Sequence, residues 1–285
     1  MKTKILVTGA NGQLGKTLRN LFYINKDALQ FIFTTKEELD ITNQNKVEEY
    51  FNKNKFDYCI NCAAYTNVDQ AELDSKLAFK VNAEGVKYLV ESCKDTNAIL
   101  IQISTDYIFD GTKNKPYTEE DLTNPINEYG KSKLLGEYYI QEQLEKYFII
   151  RTSWLYSEYG NNFIKSMLRL SKGKDELNIV NDQNGSPTYT RDLAIVILKI
   201  IKFKNYNYGI YNYSNKGEAS WYDLAKAMFE YLQKDIKLIP IKTDTYPTPA
   251  KRPKFSVLDK TRIKQILGIE IPHWKDSLKK AILNL

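Results

Sequence analysis

Tyr129 and Lys133, in the stretch Tyr129-Gly130-Lys131-Ser132-Lys133, set a phenol and an ammonium four residues apart. On an α-helix, residues i and i+4 share a face, so both side chains can address one substrate. A free phenol titrates near ~10, too high for easy proton exchange at neutral pH. A neighbouring ammonium favours phenolate and is expected to draw the phenol down, towards the range useful for general acid/base work. The same spacing also fits a solvated helix face. It acquires chemistry only if other elements bring a reactive partner to it.

A second cluster, Gly9-Ala10-Asn11-Gly12-Gln13-Leu14-Gly15, follows the apolar run 3–8 and precedes a helical pattern through Leu18, Leu21 and Phe22. Strand, glycine turn and helix open a dinucleotide-binding βαβ unit. The spacing of Gly9, Gly12 and Gly15 is G-x-x-G-x-x-G. Its physics is that of a backbone approaching a pyrophosphate at a helix N-terminus. The expected second strand, 29–34, leads into Thr35, Lys36 and Glu37. Thr35 and Lys36 suit a 2′-phosphate and Glu37 suits ribose hydroxyls, so the cofactor is NADPH or NADH, with the balance leaning to NADPH. Asp40 and Ile41 can flank the adenine, although Asp40 also suits a cap ahead of Thr42.

The elements that position these groups alternate. Strands are expected at 57–63, 98–103 and 148–152, and helices at 43–52, 77–93 and 128–146. Repeated βα units of this length argue an α/β fold, a Rossmann-like doubly wound parallel sheet with right-handed crossovers. Ligands then bind beyond the carboxyl ends of the strands. The glycine turn, residues 63–66 and residues 104–106 all fall there. After Trp154 the rhythm loosens: helices at 162–170, 192–201, 221–232, 260–267 and 275–283, a strand at 209–213, and turn chemistry at 182–188. Residues 240–253 hold four prolines and read as extended loop. The expected organisation is a cofactor domain, 1–153, and a smaller C-terminal substrate lobe, 154–285, with some chain exchange between them. Residues 112–127 read as a loop over the site, with Glu119, Glu120 and Asp121 solvated.

Lys and Arg total 41 against 35 Asp and Glu, a net charge of +6 over 285 residues. These charges are scattered, which speaks against a nucleic-acid face. No apolar run nears the ~20 residues of a membrane span, and no secretory leader follows Met1. Three cysteines suit a reducing, cytoplasmic setting. Cys59 and Cys62 lie three apart on an expected strand and so face opposite sides, as two structural thiols rather than a disulfide or metal pair. One histidine, His273, leaves no room for His-based triads or multi-His metal sites.

These residues together carry a resemblance. VTGANGQLG (7–15), NCAAYTNVDQAE (61–72), ISTDYIFDG (103–111), YGKSKLLGE (129–137), RTSWLY (151–156), GNNF (160–163), NDQNGSPT (181–188), SWYDLA (220–225) and YPTPAKRP (246–253) are similar to motifs of the extended short-chain dehydrogenase/reductases that act on nucleotide sugars. The resemblance implies NAD(P)H-dependent reduction of the C4 ketone of a dTDP-linked 6-deoxy sugar. It implies Tyr129 as proton donor, Lys133 as the group that holds the nicotinamide ribose and tunes Tyr129, and Thr105 as hydrogen-bond donor to the carbonyl. It puts Gly12, Gln13, Leu14, Asp40, Ile41, Ala64, Tyr65, Thr66 and Ile103 at cofactor positions, and Thr105, Asp106 and Trp154 at sugar-nucleotide positions. Some such enzymes bind Mg²⁺ through acidic residues at a dimer interface. Thr17 and Arg191 stand there in this chain, so no metal is expected, and a homodimer is expected only if it needs none. Phe255 stands where relatives carry a smaller polar residue. An epimerase of the same family would need further acid/base groups near the ketone; the histidine is remote and Cys93 is expected on a surface helix. A non-catalytic regulatory relative would have no need of the Tyr129/Lys133 pair.

Overall fold

A computed structural model describes residues 2–23, 29–202 and 207–285. Five strands, β1 (Thr3–Thr8), β2 (Leu29–Phe33), β3 (Tyr58–Asn61), β4 (Ile99–Thr105) and β5 (Tyr147–Thr152), alternate with helices α1 (Gln13–Tyr23), α2 (Gln44–Asn54), α3 (Val68–Leu73), α4 (Ser75–Phe79), α5 (Gly85–Thr96) and α6 (Glu128–Gln143). The later part of the chain adds β6 (Leu155–Tyr156), α7 (Phe163–Leu170), β7 (Glu176–Val180), β8 (Asn184–Gly185), β9 (Thr188–Tyr189), α8 (Thr190–Lys202), β10 (Gly209–Asn212), β11 (Ala219–Ser220), α9 (Trp221–Tyr231), β12 (Lys237–Ile241), α10 (Thr261–Leu267) and α11 (Trp274–Ile282).

The main sheet runs β10-β5-β4-β3-β1-β2, and every pairing in it is parallel. A parallel sheet is covered on both faces, and its strands here are near-continuous apolar runs. Ile5 and Val7 of β1 pack with α1 and α8 on one side. Leu6 packs with α2, α5 and α6 on the other. The connection out of β1 goes to β2 on one flank, and β3 then starts the other flank. The crevice between β1 and β3, at their carboxyl ends, is the switch point where such sheets bind ligands.

The later segments build a second core from Tyr156, Ile164, Leu177, Tyr189, Met228 and Trp274, among others. Residues 209–212 return to pair with β5 in the main sheet, and α8 covers the face beside α1. The expected extended loop at 240–253 is in part strand: Lys237–Ile241 pairs in parallel with Glu176–Val180, Pro240 opposite Ile179. A two-stranded ladder can carry proline on its outer side. The expected helix at 77–93 is interrupted by a π turn, Lys80–Glu84, between α4 and α5. Among the described residues, no helix is long and apolar enough to cross a membrane.

Candidate active site

The N-terminus of α6 is held from both sides. Asn127 caps it: its Oδ1 accepts the Gly130 N–H at 2.8 Å, and its Nδ2 donates to the Lys251 carbonyl at 2.9 Å. This fixes Tyr129 in the first turn of α6, with Lys133 one turn along the same face. Lys133 is buried, and its Nζ donates to the Ile103 carbonyl, the last but two of β4, at 2.6 Å. Burial draws its ammonium down to about 8, against the pull of Glu137 and Cys62.

Tyr129 is half-buried and edge-on to Tyr107, with ring centroids 6.0 Å apart. Burial pushes its phenol up to about 12; a hydrogen bond with the Thr105 side chain opposes this and Asp106 adds to it. The expected lowering by Lys133 is therefore corrected. The ammonium is occupied by a backbone carbonyl, and desolvation of the phenolate governs the phenol. At neutral pH Tyr129 holds its proton and can donate it.

Thr105 ends β4. Its Oγ1 accepts the Tyr107 N–H at 3.2 Å and donates to Asp106 Oδ1 at 3.1 Å. Asp106 is buried and pushed up to about 7 by that burial, with Ser256 and Thr105 hydrogen bonds opposing. Its Oδ2 finds no hydrogen-bond partner among the described residues. A buried unpaired carboxylate oxygen is costly, and this one stands ready for a donor from a ligand.

The glycine turn meets this site across the cleft. Gly9 has φ +63°, and a Cβ there would lie 2.5 Å from the Ala63 nitrogen, so only glycine lets β1 end against β3. Gln13 opens α1, and its Oε1 accepts Ser157 Oγ and Asn162 Nδ2, each at 3.0 Å. The turn is thereby tied to the loop before α7.

A cavity of about 520 Å³ brings together Gly12, Gln13, Leu14, Ala64, Thr66, Ile103, Thr105, Asp106, Tyr129, Lys133 and Trp154. The other expected cofactor residues lie outside its lining. Gly9 and Gly15 form the turn behind it. Asp40 accepts the Thr42 N–H at 2.9 Å and its hydroxyl at 2.8 Å, and Ile41 packs on α5 at Gly85. Tyr65 is clamped by Asn82 of the π turn, through its N–H at 2.8 Å and its carbonyl at 2.9 Å. At the end of β2, Glu38 accepts the Thr35 N–H at 2.8 Å, while Lys36 is exposed. A glycine-lined helix N-terminus, a buried ammonium and a phenol around one cavity fit a dinucleotide.

Trp154 has φ +46°, an uncommon conformation for a large side chain. Its indole stacks on Trp221 with centroids 3.5 Å apart and planes 3° from parallel. Gly185 makes room: a Cβ there would lie 2.6 Å from the Trp154 ring. Trp221 also lines a second cavity of about 710 Å³, with Arg169, Lys174, Gln183, Tyr246 and Arg252. Arg252 there is bound to Asp69 at 2.8 Å.

Several site residues escaped sequence reasoning, among them Tyr107, Ser153, Gly160 and Trp221, whereas Ser104 lines the cleft as the strand-end reading expected. Ser220 before Trp221 was a readable signal, since it forms a capping box with Asp223 and so turns Trp221 back at a helix start. Three expectations are corrected. Glu119 is buried and its Oε1 accepts the Asn212 N–H at 2.7 Å; Asp121 pairs with Lys113. Cys93 is a free, buried thiol that hydrogen-bonds with the Cys59 thiol. Cys62 is only half-buried and lines the wall of the cavity of about 520 Å³. The Thr17 and Thr190 hydroxyls meet at 2.9 Å.

The model of the family described as RmlD substrate binding domain matches residues 3–285. A dTDP-4-dehydrorhamnose reductase of Aggregatibacter actinomycetemcomitans is 44% identical over 286 residues, covering 97% of each chain. A crystal structure of a dTDP-4-dehydrorhamnose reductase from Clostridium acetobutylicum is 45% identical, with a TM-score of 0.94, over 99% of this chain and 100% of that one. Another, from Bacillus anthracis in complex with NADP, is 40% identical with a TM-score of 0.95 over all of both chains.

Proposed function

The chain belongs to the RmlD substrate binding domain family, among the extended short-chain dehydrogenase/reductases, and is an oxidoreductase; from that premise we propose that it reduces the C4 ketone of dTDP-4-dehydro-L-rhamnose to dTDP-L-rhamnose. Gly12, Gln13 and Leu14 would hold the pyrophosphate of a reduced nicotinamide cofactor and Lys133 its nicotinamide ribose, and that cofactor would supply the hydride that C4 takes up. Tyr129 gives its proton to the oxygen, so the ketone leaves as an alcohol, and solvent restores the phenol. Thr105 hydrogen-bonds the same oxygen while charge builds on it. Lys133 holds the nicotinamide ribose as a cation. Asp106 accepts a sugar hydroxyl at Oδ2, and Trp154 lies against the sugar. The cations of the second cavity, Arg169, Lys174 and Arg252, suit a diphosphate, which puts the nucleotide beyond the Trp154–Trp221 stack.

NADPH is the favoured cofactor. Lys36 is exposed at the end of β2, and a relative of 40% identity is known in complex with NADP. Residues 1–153 hold the cofactor and 154–285 the sugar nucleotide, with α8 and β10 returned to the cofactor lobe, in a cytoplasmic enzyme whose assembly does not require a metal.

The observation that carries this reading is the meeting of Tyr129, Thr105 and Lys133 with the glycine turn around one cavity of about 520 Å³. The test is absorbance-monitored oxidation of NADPH, and separately of NADH, on addition of dTDP-4-dehydrorhamnose. Substrate-dependent loss of signal, faster with NADPH, is expected. Cofactor binding without any substrate-dependent oxidation would make the protein a regulatory relative and end the catalytic reading.

A further inference from the structure

Glu137 is a buried carboxylate that the proposed reduction does not use. It lies one turn beyond Lys133, on the face of α6 that carries Tyr129, and is fully enclosed. Arg151 grips it with Nε at 3.2 Å from both oxygens and Nη2 at 2.7 Å from Oε2. Ser104 donates its hydroxyl to Oε1. Arg151 also donates to the Glu119 carbonyl at 3.3 Å and stands over the Phe109 ring at 5.5 Å.

A buried ion pair adds little stability over an apolar replacement. Its location offers another reason for it. Ser104 and Arg151 are register partners on β4 and β5. Ser104 precedes Thr105, and Arg151 leads through Thr152 and Ser153 to Trp154. Glu137 therefore joins three segments that converge on the cleft.

Its charge also reaches Lys133. The groups facing that ammonium are Glu137 from its own helix, Cys62 from the loop after β3, and the Ile103 carbonyl from β4. Tyr129, one turn before it, is neutral near pH 7, and burial holds the Cys62 thiol protonated. Arg151 is paired with the same carboxylate, its Nη2 at 2.7 Å from Oε2. Glu137 is the anion of this set.

We propose that Glu137 is a positioning residue for the reduction, and that its fixed negative charge keeps Lys133 an ammonium inside a dry pocket. The active stripe of α6 is then 129, 133 and 137. The inference rests on the reading of Lys133 as the cation that holds the cofactor ribose.

The test compares wild type, Glu137→Gln, Glu137→Asp and the double variant Glu137→Gln with Arg151→Met, which leaves no unpaired buried charge. Two pH profiles are read: NADPH affinity without substrate, and kcat/KM with dTDP-4-dehydrorhamnose. Burial already draws Lys133 down to about 8. Loss of the carboxylate charge should therefore move the alkaline limb of both profiles towards acid by about one pH unit. Near pH 6, where Lys133 is charged in every variant, NADPH affinity should stay close to wild type. Glu137→Asp should keep the wild-type limb. The double variant should move with Glu137→Gln, and decides the matter if the single variant does not fold. An unmoved limb, or the same loss at every pH, overturns the proposal. If wild type binds NADPH but turns over no substrate, the reductase reading fails instead, and the affinity profile still decides the role of Glu137.

Discussion

A phenol held near 12 is a poor base at neutral pH but a sufficient acid, because the alkoxide left by hydride addition is a far stronger base than phenolate. Tyr129→Phe should leave NADPH affinity almost unchanged and lower kcat by about two to four powers of ten, as read by stopped-flow or steady-state assay. Thr105→Val, which removes the hydroxyl proposed to meet the same oxygen, should cost about 10²-fold or more in kcat. Asp106 gives a pH prediction. Its folded value, about 7, lies above the ordinary aspartate value of ~3.9. Between the two the folded state keeps a proton that the unfolded chain has lost, so the contribution is present at low pH and is lost as pH rises through about 7. Asp106→Asn should flatten the fall in Tm between about pH 4 and 7, as thermal melts across that window would read. The types of these residues were legible in the sequence, whereas their titration was not. The Ser256 hydrogen bond that opposes the effect of burial on Asp106 comes from 150 positions later, in a chain whose order says nothing of that contact.

At the scale of elements, α6 depends on Asn127, which caps the helix and also ties the 246–253 segment to it. Asn127→Ala removes the cap, at about 1 kcal/mol, and leaves the Lys251 carbonyl without its donor, so a total loss of about 2 kcal/mol is expected. Denaturant unfolding should show it, with kcat/KM falling in parallel as Tyr129 loosens. The strands of the main sheet and the glycine turn were readable because apolar runs and glycine spacing are local signals. The π turn was not, because Asn82 gains its meaning from Tyr65 and Ser132 on two other segments. The β7–β12 ladder was hidden for a different reason: Pro240 argues for loop locally, and only the partner strand, some sixty residues away, overrides it. Glu119 looked solvated among acidic neighbours, but its backbone partner is on β10.

At the scale of the whole molecule, the main sheet is not drawn from a contiguous piece of chain. β10 closes the sheet beside β5, and α8 supplies Leu193, Val196, Ile197 and Ile200 to the core on the α1 face. A fragment ending at residue 153 would expose that face and the β5 edge. It should lack a cooperative thermal transition and bind NADPH far more weakly than the full chain, as calorimetry and cofactor titration would show. The expected boundary near 153 follows the change in sequence rhythm, whereas the sheet depends on a later return that the rhythm does not announce. The parallel indoles of Trp154 and Trp221 lie where the two cavities meet. Chromophores this close share their excited states, so they should give a paired, oppositely signed band in near-ultraviolet circular dichroism. A sugar nucleotide that slides along the stack would change the offset of the rings, and with it the shape of that band. The enzyme thus carries its own optical gauge of occupancy, one that needs no label and no turnover.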